Sequence, residues 1–333
     1  MAQLKNTTVS DTGFLQLPAG TTAQRPAVLN TGMIRFNSDK GLIEQYDGVA
    51  WFDNFNNFNA RVLATGGTVN DITQGGINYR VHVFSTVGTS TFTVSQGGEV
   101  EYLIVAGGGG GSNRHKGGGG AGGLLTGFIT LIPQIYTITV GAGGNGVPQQ
   151  TLPTRSDGTN GGNSSAFGLT AIGGGIDGSA GGSGGGGGAG GTGGAGTPGQ
   201  GNNGGRGVVS PSTETMFVGG GGGGAGAPGW NAISTIPATG GDGGPGVSSS
   251  ISGNLLLYAG GGGGGAATGS VRGGIGGIGG GGNGGRQLNG TNQGQNGTPN
   301  TGGGGGSGAF SGGTNFASGA GGSGIVIVRY RIV

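Results

Sequence analysis

Of 333 residues, 99 are glycine, against a usual share of about 7%. Fourteen basic and 12 acidic residues leave a net charge of +2, there is no cysteine, and there are two histidines, His82 and His115. Disulfides and thiolate metal sites are therefore excluded, acid–base chemistry has little material, and the charge gives no footprint for nucleic acid.

The longest apolar runs reach about six to eight residues, far short of the roughly 20 that a membrane span needs. The opening MAQLKNTTVS has no apolar core of a secretory signal, so the chain is expected to be made and folded in a cytosol.

Residues 1–60 read as a β-hairpin module for attachment or oligomerisation. Gly32–Asn37 alternates like a short strand, Ser38–Gly41 is a turn, and Leu42–Tyr46 is the returning strand. Asp47-Gly48 turns again into Val49–Phe52. So short a hairpin set cannot bury enough surface alone. Phe36, Tyr46 and Trp51 are the candidates for packing it, including at a subunit interface.

Residues 61–106 form a second β-rich stretch, with strands expected at Tyr79–Phe84, Ser90–Ser95 and Val100–Val105. Tyr136–Val140 and Ile325–Tyr330 have the same character. Strands thus flank the glycine block on both sides, which predicts a small β-sandwich closed by segments distant in sequence. His82 lies within an alternating strand and reads as structural.

Only 12 of the 99 glycines precede Tyr102. Beyond it, pure runs occur at 107–111, 219–224, 260–265 and 302–306, several of them led in by apolar segments such as 214–218 and 255–259. The last three runs begin about 41–42 residues apart, which suggests a repeating unit. From Gly181 the chain reads GGS GGG GGA GGT GGA, and the same period of three recurs at Thr239, Asp242 and Pro245 and at Ile275 and Ile278. Three residues per turn is polyproline-II geometry. Collagen needs an unbroken glycine register and abundant proline; the 11 prolines and the Ser112–Lys116 interruption rule it out. A flexible linker explains neither the spacing nor the lead-ins. The expected fold class is mostly β with irregular structure: an N-terminal hairpin module, a small sandwich, a bundle of packed polyglycine-II helices over 107–333, and essentially no α-helix.

The segment Val100–Ala106 followed by polyglycine, then Tyr136–Gly144, then Gly322–Tyr330, resembles the glycine-rich domain of tailed-bacteriophage fibre proteins. It covers about residues 62–333. Leu17–Pro26, with Gly32–Asn37 and Tyr46–Trp51, resembles a hairpin module common in phage structural proteins. The resemblance implies a virion protein of the tail fibre or another exterior appendage, synthesised in a host cytoplasm. It implies a homo-oligomer, a trimer favoured, joined to other virion proteins. It further implies distal loops that bind a bacterial surface polysaccharide or outer-membrane protein. A stiff structural fibre, a capsid decoration and a self-assembling extracellular filament remain alternatives.

A polyglycine core offers no side-chain chemistry, so recognition is expected at the interruptions. Arg114, His115 and Lys116 form the densest basic cluster. Arg155 lies in the 149–160 loop and Arg286 opens an amide-rich loop. Phe310 and Phe316 bracket a short aromatic segment. Trp230, followed by Asn231 and preceded by Pro228-Gly229, is the leading candidate, because tryptophan is enriched at binding hot spots. Chance GxGxxG matches lack the strand–turn–helix context of a dinucleotide site, and no calcium repeat or phosphate loop is present. No enzyme activity, metal or cofactor is expected.

Overall fold

A computed structural model describes residues 17–52, 62–151, 156–209, 217–235, 238–266, 272–285 and 291–332. The chain divides into two compact units, residues 1–60 and 61–333.

The first unit is a four-stranded sheet of β1 (Ala19–Gly20), β2 (Ile34–Asn37), β3 (Leu42–Tyr46) and β4 (Trp51–Phe52), in that order. The strands pair antiparallel except for β1 on β2. Asp47 builds the β3–β4 turn: its Oδ1 accepts the Val49 and Ala50 amides, both at 2.8 Å. Residues directly paired share a face, so Arg35 and Glu44 lie together, as do Tyr46 and Trp51. Glu44 is fully buried on that face. Its carboxylate accepts from Arg25 at 2.7 Å and from Asn37 at 2.9 Å, with Arg35 at 3.5 Å. The Arg25 hydrogen bond holds the carboxyl below its ordinary range, against the opposing effect of burial, with Asn37 and both arginine charges helping.

The second unit opens with β5 (Leu63–Thr65), β6 (Thr68–Gln74), β7 (Ile77–Phe84), β8 (Gly88–Gln96), β9 (Gly98–Val105), β10 (Leu124–Leu131) and β11 (Gln134–Val140). Short pieces follow: β12 (Gln150–Thr151), β13 (Ser164–Ala166), β14 (Leu169–Ala171), β15 (Val208–Val209), β16 (Phe217–Val218), β17 (Val247–Ser249), β18 (Leu256–Tyr258), β19 (Phe310–Ser311) and β20 (Thr314–Asn315). The unit closes with β21 (Ile325–Ile332). Two five-stranded sheets, β10-β9-β21-β7-β6 and β14-β13-β11-β8-β5, form the sandwich. Among the described residues there is no α-helix.

Alternation puts Phe92, Val94, Ile104, Ile138, Val326 and Val328 in the sandwich core. The last strand is apolar at consecutive positions because both its faces are covered. Ile325 and Ile327 face a second core with Val81, Leu103, Ile251 and Tyr258, carried in by the β17–β18 excursion. His82 is structural: its Nδ1 donates to the Gly66 carbonyl at 2.8 Å, which leaves Nε2 to accept the Tyr330 hydroxyl at 3.0 Å. Burial pushes its pKa down despite the Gly66 bond.

Strand β10 was not expected from the sequence, because two glycines lead into it and Gly127 interrupts it. Gly127 sits directly across from Tyr102, and a Cβ there would lie 2.9 Å from the phenol oxygen. The missing side chain is what lets the tyrosine ring lie over the edge strand.

The glycine segments are polyglycine-II helices, and their hydrogen bonds show the threefold period directly. Gly107 and Gly110 donate to Gly162 and Thr159; Gly108 and Gly111 donate to Gly322 and Gly319; Gly109 donates to Gly120. Amides three apart thus reach the same neighbour, and successive amides reach different ones. The carbonyls of Gly107, Gly108 and Gly109 accept from Gly174, Gly144 and Gly305 on three further segments. Segment 107–111 therefore bonds to six surrounding helices. Segment 117–123 does the same, with 107–111, 172–175, 183–186, 220–223, 262 and 302–305 around it. The pure runs are buried throughout, because a helix surrounded by backbone has room for no side chain. The two-in-three segments divide: Thr192, Ala195, Ile275 and Ile278 are exposed where their helices reach the periphery, whereas Ser183 is fully buried among its neighbours.

Candidate functional site at the distal end

Each helix pair leaves the sandwich and returns to it, which fixes where side chains gather. Segment 107–111 continues β9, and 117–123 leads into β10, so the turn 112–116 lies at the far end. Ser112 and Asn113 are fully buried there and bolt the turn down. The Ser112 carbonyl accepts from the Ser307 hydroxyl at 2.6 Å and the Gly308 amide at 3.1 Å, and Asn113 donates to Gln150 at 3.1 Å.

Above this base, Arg114 and His115 both take left-handed backbone, with φ of 56° and 62°. Non-glycine residues pay roughly 1–2 kcal/mol for that conformation, so the surrounding contacts must hold it. The His115 ring lies 4.8 Å from Phe217 in β16 and 5.0 Å from Phe310 in β19. The Arg114 guanidinium stands 5.5 Å from the Phe310 ring centre, a cation–π distance. Beside them Lys116 bridges Asp157 at 2.5 Å and Asp177 at 3.0 Å. Burial would lower the lysine pKa, but hydrogen bonds and charge from the two carboxylates outweigh it and leave the pKa raised. Lys116 is therefore a fastener of three loops, with its charge already matched.

Four of the residues singled out in the sequence, Arg114, His115, Lys116 and Phe310, thus meet at one place. Phe217, Asp157 and Asp177 complete it. Phe217 was readable only as part of an apolar lead-in; its role comes from the β15–β16 hairpin, whose strands pair Val209 with Phe217. Phe316 begins the returning segment, its amide bonded to the Ala309 carbonyl at 3.0 Å. Arg155 and Arg286 lie outside the described residues.

Trp230 and Asn231 stand elsewhere. Trp230 donates to the Asp242 carbonyl at 2.9 Å and accepts from Gly221 at 3.0 Å, so it belongs to a bundle helix and is not on a distal loop. Its side chain is 67% exposed on the outer wall. Ile233, three residues on, is also exposed, and Asn231 accepts the Arg206 amide at 2.7 Å. At the sandwich end, a cleft of about 380 Å³ lies between Leu124, Gln200, Asn202 and Val247. Among the described residues no group of three His, Asp or Glu is placed to hold a metal ion.

The hairpin candidates also separate. Tyr46 and Trp51 pack on each other at 5.6 Å beneath Arg25, on the covered face of their sheet. Phe36 is on the open face and exposed.

These features define a class: a polyglycine-II bundle rooted in an antiparallel sandwich. The chain belongs to the glycine-rich domain family, whose sequence profile matches residues 85–331, from β8 into β21. No curated protein is significantly similar to the chain.

Proposed function

We propose that the chain is a bacteriophage virion fibre or adhesin protein, without enzymatic activity, that binds a receptor on the bacterial surface through the distal loops of its glycine bundle. The observation that carries this reading is the pair of consecutive left-handed residues, Arg114 and His115, held between Phe217 and Phe310 at the end farthest from the sandwich. A bundle serving only as a stiff spacer has no use for strained basic and aromatic residues at its tip. Backbone strain of this kind clusters at binding sites. The resemblance to phage fibre glycine-rich domains supports the same reading. Several copies on one virion would multiply weak loop contacts into firm attachment, and the polysaccharide or outer-membrane protein bound would be set by the tip residues.

The test is retention of the labelled full chain on a panel of bacterial cells and on an array of bacterial surface glycans. Binding to at least one, lost by tenfold or more in the double variant Arg114→Ala, Phe310→Ala and kept in Trp230→Ala, is expected. Retention that depends on Trp230 and ignores the tip variant places recognition on the side wall instead. Absence of binding to any cell or glycan favours the spacer.

A further inference from the structure

The sheet of the first unit is inside out. Its covered face holds the polar groups: Arg35 is 5% exposed, and Asn37 and Glu44 are fully buried under Arg25 and the Thr22–Gln24 turn. Its other face carries Ile34, Phe36, Ile43 and Phe52, around Gln45. Phe36 and Phe52 are each 37% exposed, and Ile34 and Ile43 are only half-buried. None of the apolar core clusters among the described residues includes a residue of this unit. A sheet of this size needs a packed apolar face for stability, and a unit spanning only residues 1–60 buries little enough surface to be marginal by itself.

We infer that the open face of this sheet packs against the same face of other copies of the chain, around Phe36 and Ile43. The chemistry favours a copy over an unlike partner. No strand residue on the open face is ionisable, while the strand charges, Arg35 and Glu44, are all turned to the covered face. Two or more such faces meet apolar to apolar with no like-charge cost. A typical protein surface would instead have to desolvate its charges against them. The charged turn residues Asp39, Lys40 and Asp47 flank the strands, giving the polar rim usual around an apolar interface centre. Closed symmetric association is the common outcome of a self-complementary patch. The inference is independent of what the distal tip binds.

The test uses the full chain in two differently tagged forms. Wild-type copies are expected to co-purify and to show a multimer mass by light scattering at micromolar concentration. Ile43→Lys and Ile43→Glu, each alone, should fall to monomer mass. Mixing the two variants should restore co-purification, because opposite charges then meet across the interface. Amide exchange across 34–37 and 42–46, the strands that carry the open face, should return to the wild-type rate in the mixture, which separates loss of assembly from loss of fold. A monomeric wild type overturns the inference. So does unchanged assembly in both variants, which would place the association elsewhere. Loss of assembly without rescue overturns the pairing of like faces.

Discussion

Gly119→Ala is the sharpest test of the bundle. On an exposed segment with compatible backbone, glycine to alanine stabilises by about 0.4–1 kcal/mol, because the unfolded chain has less freedom to lose. Gly119 is in the interior. An added Cβ would lie 2.7 Å from the Gly109 carbonyl carbon and 2.9 Å from the Gly110 oxygen, both backbone atoms that cannot swing away. Segments 107–111 and 117–123 would have to part, although Gly109 donates across that seam to Gly120 at 2.9 Å and Ala106 to Gly123 at 3.0 Å. Gly119 itself donates to Gly305 at 2.9 Å and accepts from Gly262 at 2.8 Å. Leaving two such buried groups unsatisfied costs about 1–3 kcal/mol each, and overpacking alone costs about 1–3 kcal/mol. The expected net effect is destabilisation by at least about 2 kcal/mol. Denaturant unfolding of the variant beside exposed Thr192→Ala, which should stay within about 0.5 kcal/mol of wild type, reads this difference. Equal or greater stability in Gly119→Ala would refute the claim that close backbone contact selects glycine there.

Five other outcomes follow from the geometry. Amide exchange should be slow across 107–111, 117–123, 219–224 and 260–265, and random-coil rates there would refute the packed bundle. Glu44 has a folded pKa below its unfolded one, so its stabilisation is complete above the ordinary carboxylate range and is lost as pH falls through the folded value. Trp51 fluorescence in a Trp230→Phe background should therefore report acid loosening of the first unit. Glu44→Gln should cost about 3 kcal/mol at neutral pH by stranding Arg35; a silent substitution refutes the buried network. His82 also has a lowered pKa, so its contribution is complete above about pH 6.5 and declines as pH falls through the lower folded value. The unfolding midpoint of His82→Gln should then depend less on pH over that interval than wild type does. Lys116→Met leaves Asp157 and Asp177 facing each other without their cation, and should raise exchange in 112–116 while sparing the sandwich; no local change would refute its fastening role.

The strands with clean alternation or long apolar runs were legible: β7, β8, β9, β11 and β21 fall where the pattern places them. So was the bundle, from its period of three. Strand β10 was hidden because Gly127 serves a neighbour's ring, a requirement visible only once Tyr102 is known to lie opposite. The inside-out sheet was hidden for a related reason. Alternation in Ile34–Asn37 says that two faces differ, but it does not say that the charged one is covered. At the tip, the basic cluster could be read as a cluster; Phe217 could not, because more than 90 residues separate it in sequence from Arg114. The placement of Trp230 was not legible, because Pro228 and Gly229 suggest a loop, whereas Trp230 is bonded on both sides into the bundle.

The bundle's weakness explains why it needs its roots. Ordering a residue costs about 1–2 kcal/mol, and glycine loses more backbone freedom than any other residue with no side chain to bury in return. One net hydrogen bond per residue returns about 0.5–1.5 kcal/mol, so a glycine helix in the lattice is near balance by itself. The surplus comes from the two apolar cores at the sandwich end, where Ile104, Val326, Ile327 and Leu103 are almost wholly buried. Stability should therefore be greatest near β9 and β21 and fall toward the 112–116 turn. The tip is where the left-handed residues and the aromatic cluster sit. A strained surface is easiest to vary there, because a change in the loop alters few lattice bonds, whereas one methyl group inside the lattice disturbs several helices at once.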